Sequence, residues 1–148
     1  MGYFDYSREP QSDIAFVDMK SFYASVECVD RGLHPLKAVL CVMSRADNSN
    51  GLILAASPMF KKVFGQANVG RSSDLPFDIY TRKFSYANAK RQGLPITPDY
   101  VRYVEEWAQR SVIVPPRMHK YIEKNIEIQH IFQNYASIDD ILPYSIDE

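Results

Sequence analysis

The sequence from Ala15 to Glu27, AFVDMKSFYASVE, decides the fold because it places an acid between two short elements. Ala15–Val17 is too short for a helix and predicts a buried strand. Ser21 is a good helix N-cap, so Asp18 is expected at the carboxyl end of a strand, where the chain turns into a helix. The helix carries apolar residues on one face: Phe22, Val26 and Val29.

Composition favours one globular domain, because 148 residues suffice for a single core. No apolar run is long enough to span a membrane and the N-terminus has no signal-peptide core, so we expect a cytoplasmic protein that contacts no membrane. The histidines are scattered and show no zinc-binding spacing. Cys28 and Cys41 lie in apolar patterns and are expected to be reduced core residues.

The charge balance argues against a chain that binds nucleic acid without the help of other domains. Seventeen basic and eighteen acidic residues give a net charge of -1, whereas such chains are usually basic. Any nucleic-acid contact is therefore expected to be local or to depend on other parts. Basic residues do bunch in the middle of the sequence, which is also typical of a solvated face: Lys61, Lys62, Arg71, Arg82, Lys83, Lys90 and Arg91.

The next elements have clear local signals. Ala38–Met43 is an apolar run that predicts a central strand, and Leu52–Ala55 predicts a second strand that forms a hairpin with it. A short helix follows. Ser57 can cap it, Pro58 fits its first position, and Gly65 fits the left-handed position after its last turn.

The second half predicts two helices. Thr97 and Pro98 start a helix that carries apolar residues as far as Val112, and prolines end it. A long helix over Arg117–Tyr135 follows, then a turn, and then a strand, Leu142–Ile146, that leads into two acids. Between the two halves we expect a short strand at Phe77–Tyr80 and an irregular region at Lys83–Thr97. The long helix carries an apolar stripe: Met118, Tyr121, Ile128, Phe132 and Tyr135.

This order of elements predicts an α+β fold. Without the inserted helical region, the chain resembles the first part of a β-α-β-β-α-β sheet, an antiparallel ferredoxin-like sheet with helices on one face. The first and last strands can then be neighbours, which brings Asp18 close to Asp147 and Glu148. Three converging carboxylates repel one another, and a divalent cation such as Mg²⁺ removes the conflict. Lys62 could hold a triphosphate from the other side.

A rival acidic pair is present. Ser137-Ile138-Asp139-Asp140 nearly duplicates Ser145-Ile146-Asp147-Glu148. Asp139 and Asp140 directly follow the long helix, where a turn is needed, whereas Asp147 and Glu148 end an apolar run. The second pair is therefore the preferred partner of Asp18.

Three segments resemble motifs of the Y-family translesion DNA polymerases. Residues 18–27, DMKSFYASVE, look like the opening motif, and residues 144–148, YSIDE, look like the second catalytic motif. Residues 55–65, AASPMFKKVFG, resemble the fingers helix that meets the incoming triphosphate. The three motifs occur in the family's order and cover nearly the whole chain. Within the family, the sequence resembles the UmuC-like branch, and within that branch the UvrX-type (ImpB/MucB/SamB) proteins of Gram-positive bacteria.

The resemblance implies a role for each acid. Asp18 and Asp147 would bind both of two Mg²⁺ ions, and Glu148 would bind the catalytic ion near the primer hydroxyl. The backbone carbonyl of Met19 would complete the coordination of the ion on the nucleotide side. Tyr23 matches the family's steric gate, where an aromatic ring excludes a ribose 2′-hydroxyl. Alternatively, Tyr23 is an ordinary core residue of the helix.

The resemblance also implies a nucleotide-binding set. Lys62 matches the basic triphosphate contact, and Met59 stands where many members carry a tyrosine that touches the phosphates. Phe22 and Ser57 complete the predicted set, and no DNA-binding residue is assigned. The expected ligands are deoxynucleoside triphosphates and primer-template DNA. A sliding clamp and a recombinase are implied as partners that would bind regions of the full-length protein outside this chain.

The domain division implied by the resemblance is palm at residues 1–21, fingers at 22–95, and a truncated second part of the palm at 96–148. Further palm strands, a thumb and a little finger are expected beyond Glu148, so the fragment alone would polymerise poorly or not at all. The expected function is the catalytic portion of an error-prone polymerase of the SOS response, a mutagenic DNA-damage pathway.

Two other functions stay open. A truncated polymerase could be a non-catalytic regulatory or decoy module that binds the partners of its full-length relative. A nucleotide cyclase also sets carboxylates on such a sheet, but the absence of a Gly-Gly-acid-acid-Phe hairpin argues against it.

Overall fold

A computed structural model describes residue 3 and residues 5–44, 51–65 and 70–148. These residues form an α+β fold, which confirms the predicted class. The elements are α1 (Phe22–Asp30), β1 (Leu40–Ser44), β2 (Leu52–Ala56), α2 (Pro58–Phe64), α3 (Tyr86–Arg91), α4 (Pro98–Arg110), β3 (Val112–Val114) and α5 (Met118–Phe132). Short 3-10 turns are formed by Tyr6–Arg8, Ser72–Asp74 and Ile138–Asp140.

The sheet has the strand order β2-β1-β3. β1 and β2 are antiparallel, which confirms the predicted hairpin; most of its tip, residues 45–50, lies outside the described residues. β3 runs parallel to β1, with Leu40 opposite Val112 and Val42 opposite Val114. The sheet is therefore mixed, and the prediction of a purely antiparallel sheet was wrong because β3 returns after a helical crossover, which sets parallel strands side by side.

The sheet separates two apolar cores. Along β1, Leu40 and Val42 pack with α1 and α5 on one face, whereas Cys41 and Met43 pack with α2 and α4 on the other. This follows from the alternation of side chains along a strand. Helices thus cover both faces, and the prediction of helices on one face was wrong. Cys28 and Cys41 are free and buried, as predicted.

The local signals around α2 are confirmed. The hydroxyl of Ser57 accepts a hydrogen bond from the backbone N–H of Phe60 (3.2 Å), Pro58 opens the helix, and Gly65 adopts a left-handed conformation at φ 68. Thr97 caps α4 in the same way by accepting from Tyr100. Each of these signals depends only on neighbouring residues, so the sequence alone could reveal them.

The predicted first and last strands are absent. Residues 11–19 and 141–148 form no ladder, and Phe16 is 72% exposed. Within the described residues, the two segments share one backbone hydrogen bond, from the N–H of Met19 to the carbonyl of Asp147 (2.8 Å). The segments also touch through the rings of Phe16 and Tyr144, whose centroids are 6.5 Å apart, and Met19 and Ile146 pack against the core beside α1 and α5.

Four other predictions were wrong in detail. Ser21 adopts a left-handed conformation and does not cap α1, and Val29, in the last turn of α1, is 58% exposed. The short strand at Phe77–Tyr80 is a single bridge between Phe77 and Phe84. The helix expected to reach Val112 ends at Arg110, because the β-branched run that follows it joins the sheet.

The second half contains one helix that was not predicted and one stripe that is less buried than predicted. α3 lies inside the region expected to be irregular, and Ser85 caps it by accepting from Asn88. On α5 only Tyr121 is buried, whereas Tyr135 is 86% exposed and lies beyond the helix end. No helix among the described residues has the length and apolarity needed to cross a bilayer. The palm and fingers boundaries stay a prediction.

Candidate metal centre

Three carboxylates from opposite ends of the sequence meet at one edge of the fold. Asp18, Asp147 and Glu148 each place one carboxylate oxygen within 4.8 Å of the others. Asp18 is exposed and the other two are half-buried. Hard oxygen ligands with partial access to solvent are the donor set that Mg²⁺ prefers, so these residues fit the predicted ion.

Two hydrogen bonds to the backbone hold this cluster together. The N–H of Met19 donates to the carbonyl of Asp147 (2.8 Å), which ties the two acidic segments to each other. From α5, the side-chain amide of Asn125 donates to the carbonyl of Ile146 (2.7 Å). The sequence reveals Asn125 only as a polar interruption of an apolar stripe, yet it fixes the segment that carries two of the three acids.

A third contact orients the carboxylates themselves. The hydroxyl of Ser145 donates to Asp147 Oδ1 (2.9 Å) and lies 3.1 Å from Glu148 Oε2. By contrast, Asp139 and Asp140 lie in an exposed 3-10 turn. Among the described residues, they belong to no group of acids close enough to share a cation. The geometry therefore favours the acidic pair that the sequence analysis preferred.

A cleft of ≈ 350 Å³ opens beside the acids. Its volume is in the range of small-molecule sites. It lies between the two acidic segments, the start of α1, strand β2 and the middle of α2. The lining residues are Asp18, Met19, Ser21, Phe22, Tyr23, Ile53, Leu54, Ala55, Ala56, Phe60, Lys61, Ile146 and Asp147.

The cleft includes only part of the predicted nucleotide-binding set. Phe22 and Tyr23 line it, whereas among the described residues Ser57, Met59 and Lys62 do not. Ser57 is 1% exposed, and its hydroxyl donates to the carbonyl of Ala38 (2.7 Å) while capping α2.

Among the described residues, the cation that lines the cleft is Lys61, which is half-buried, whereas Lys62 is exposed. The sequence analysis noted Lys61 only as a member of the basic group. Helical spacing alone could not separate the two lysines, because each is compatible with a helix whose orientation was unknown.

The start of α1 faces the cleft. Ser21 is strained at φ 49 and ψ 47, and no side chain caps the helix. The Ser21 hydroxyl is buried and has no hydrogen-bond partner among the described residues. The first N–H groups of a helix without a capping side chain are suited to an anion, since the helix dipole favours negative charge there.

Glu27, one helical turn after Tyr23 on α1, is the buried centre of a network of charges. The carboxylate of Glu27 accepts two hydrogen bonds from Arg117 (3.0 and 2.8 Å), one from the hydroxyl of Tyr121 (2.8 Å) and one from Arg31. Glu27 and Tyr121 are both 0% exposed. Arg117 also pairs with Asp30 (2.7 Å). The network joins α1 to α5 across 90 residues of sequence.

The network sets two pKa values. Burial alone would raise the pKa of Glu27, but the hydrogen bonds from Arg117, Arg31 and Tyr121 outweigh burial and hold this pKa below its ordinary value. Burial raises the pKa of Tyr121 to about 12, and its hydrogen bond to the Glu27 carboxylate acts in the same direction. Glu27 is therefore ionised and Tyr121 is protonated at neutral pH.

The fold is shared with a polymerase of known structure. The chain superposes on the Y-family DNA polymerase chimera Dbh-Dpo4(243-245)-Dbh with a TM-score of 0.50 and 21% identity, covering 88% of this chain and 29% of that one. At this identity the likeness shows the fold alone. No protein-family model matches the chain.

Relatives in sequence are found in Bacillus subtilis (strain 168). The DNA repair protein homolog YozK is 34% identical over 97% of this chain and 98% of its own length. The protein UvrX, whose name marks it as a UV-damage repair protein, is 34% identical over 97% of this chain and 27% of its own length. DNA polymerase IV 2 is 28% identical over 91% of this chain and 25% of its own length.

The chain belongs to the UvrX and YozK group of DNA repair proteins, which is related to the Y-family DNA polymerases. It spans about a quarter of the length of UvrX and of DNA polymerase IV 2, and nearly the whole of YozK. The sequence resemblance to the Y-family polymerases, and within them to the UvrX-type proteins, is thereby confirmed.

Proposed function

We propose that the chain is the nucleotide-binding and metal-binding part of a translesion DNA polymerase, with a deoxynucleoside triphosphate in the cleft. The observation that carries this proposal is the meeting of Asp18, Asp147 and Glu148 beside a cleft lined by an aromatic ring and a lysine. Chance acids seldom converge from both ends of a sequence onto the same cleft.

The residues present fit Mg²⁺ through their three carboxylates. When bound, two such ions promote attack by a primer hydroxyl and stabilise a leaving pyrophosphate. Asp18 and Asp147 would hold both ions, and Glu148 would hold the ion nearer the primer. The uncapped start of α1 and the ammonium of Lys61 would bind the triphosphate. Tyr23 would lie beneath the sugar as the steric gate.

Magnesium-dependent binding tests this proposal. The purified chain is titrated with a deoxynucleoside triphosphate with and without Mg²⁺, beside Asp18→Asn. We expect Mg²⁺ to strengthen binding to the unchanged chain and the variant to lose at least about tenfold in affinity, since one metal ligand is removed. Asp13→Asn, in the same exposed segment, removes the same charge and serves as the control. Equal binding by all three proteins, with or without Mg²⁺, would contradict the proposal.

The two adjacent lysines make a second prediction. Because Lys61 lines the cleft and Lys62 is exposed, Lys61→Ala is expected to weaken triphosphate binding about tenfold, the effect of one lost charge-assisted hydrogen bond. Lys62→Ala should change the affinity by less than about twofold. Isothermal titration calorimetry of both variants measures this. The reverse order would support the lysine that the family resemblance indicates.

A second candidate is a non-catalytic module that binds partners of a longer polymerase. The observation in its favour is that YozK, a relative of the same extent, is matched over 98% of its length. This candidate predicts no difference between the chain and Asp18→Asn in the titration above. Roles in the SOS response and mutagenesis, a cytoplasmic location, and binding of primer-template DNA, a sliding clamp or a recombinase stay predictions.

A further inference from the structure

The ring of Tyr23 is stacked on a second aromatic ring. The centroids of Tyr23 and Tyr121 are 4.4 Å apart, and the two planes are within 12° of parallel. Tyr23 is half-buried and lines the cleft, whereas Tyr121 is fully buried and does not line it. One face of the Tyr23 ring is therefore covered by a buried ring that is not part of the cleft.

The supporting ring cannot easily move. Its hydroxyl donates to Glu27 Oε1 (2.8 Å), and the Glu27 carboxylate is itself held by Arg117 and Arg31. Glu27 lies one helical turn after Tyr23 on α1, and Arg117 immediately precedes α5, one turn before Tyr121. The two helices thus contact each other at two successive turns, through a ring pair and through a charged pair, which fixes both rotation and distance.

We propose that Tyr121 is a positioning residue that fixes the Tyr23 ring and so sets how strictly the cleft distinguishes deoxyribose from ribose. This inference rests on the proposed nucleotide site. A steric gate rejects one hydroxyl group only if its position is held to about 0.5 Å, because a ring that can retreat makes room for the extra oxygen. The stack on an immobilised ring supplies that restraint.

The experiment measures the ratio of dissociation constants for a ribonucleoside and a deoxynucleoside triphosphate, with Mg²⁺ present. Tyr121→Leu removes the planar support and is expected to lower this ratio about fivefold, the factor to which one stacked aromatic pair corresponds. Tyr121→Phe keeps the ring and is expected to retain most of the ratio. If the leucine variant does not fold, Tyr121→Met fills the space with a flexible side chain that has no planar face.

The control separates positioning from general loss of stability. Phe77→Leu removes a buried ring from the opposite core and should destabilise the fold without changing the ratio. An unchanged ratio in folded Tyr121→Leu or Tyr121→Met, when the unchanged chain discriminates, would overturn this inference and leave the nucleotide site intact. Absence of nucleotide binding by the unchanged chain would overturn the proposed function and this inference together.

Discussion

Replacement of Arg117 by methionine is expected to lower the free energy of unfolding by about 3 kcal/mol, because it leaves a buried carboxylate without its main partner. Glu27 is 0% exposed, and Arg117 supplies two of its four hydrogen bonds. Methionine keeps the apolar length of the side chain, so the change isolates the charge and its hydrogen bonds. Urea-induced unfolding at neutral pH measures the difference.

An ion pair on α5 provides the matched control. Lys124 pairs with Glu127 at 3.0 Å, but the Glu127 side chain is 63% exposed, whereas that of Glu27 is 0% exposed. Lys124→Met is therefore expected to change the free energy of unfolding by less than about 0.5 kcal/mol. Similar values for the two variants would show that the buried network does not contribute more than a surface pair.

The pH dependence gives an independent check with a definite sign. The pKa of Glu27 is lowered in the folded state, so its contribution to stability is full above the unfolded pKa of about 4.3. The contribution is lost as the pH falls through the lower, folded pKa, where the carboxyl becomes neutral. The difference between the unchanged chain and Arg117→Met should therefore shrink below about pH 4.

This network shows why part of the structure could not be predicted from the sequence. Glu27 belongs to the segment that decides the fold, but its partners lie 90 and 94 residues away. The neighbouring sequence does not distinguish Arg117 from a solvent-exposed residue at the start of a helix, or Tyr121 from an ordinary core residue. The geometry that joins them depends on how α1 and α5 pack, which only the folded chain determines.

Elements with local signals were predicted well, and elements that depend on pairing were not. α2 was predicted with its cap and its end, because Ser57 and Gly65 act on their own neighbours. β3 was read as the end of a helix, since Val112 continues the helical spacing of α4. Its assignment to the sheet depends on a parallel partner, β1, 72 positions earlier at Leu40.

The acidic site was predicted for a reason that the structure only partly supports. Asp18 and Asp147 were expected at the ends of neighbouring strands, and they do lie together. The two segments are not strands, however. A backbone hydrogen bond and a contact between the rings of Phe16 and Tyr144 join them, and the side chain of Asn125 holds the second segment at Ile146. The convergence of the acids was therefore predicted from two strands that the structure does not contain.

The near-duplicate acidic segments allow the sharpest test of the metal centre. Asp147→Asn is expected to lose at least about tenfold in Mg²⁺-dependent triphosphate binding, because it removes a ligand from the cluster. Asp139→Asn makes the same change of charge in the same local sequence, Ser-Ile-Asp, but in an exposed turn. It is expected to bind within about twofold of the unchanged chain, since screened surface charges act weakly at a distance.

Thermal unfolding without Mg²⁺ shows whether lost binding reflects lost structure. Removing one of three converging carboxylates relieves repulsion between like charges, so Asp147→Asn should unfold at the same or a higher temperature than the unchanged chain. A variant that is as stable as its parent but has lost the effect of Mg²⁺ separates a binding role from a structural one. Equal losses in both variants would instead indicate a general effect of charge, and would contradict a metal centre at Asp147.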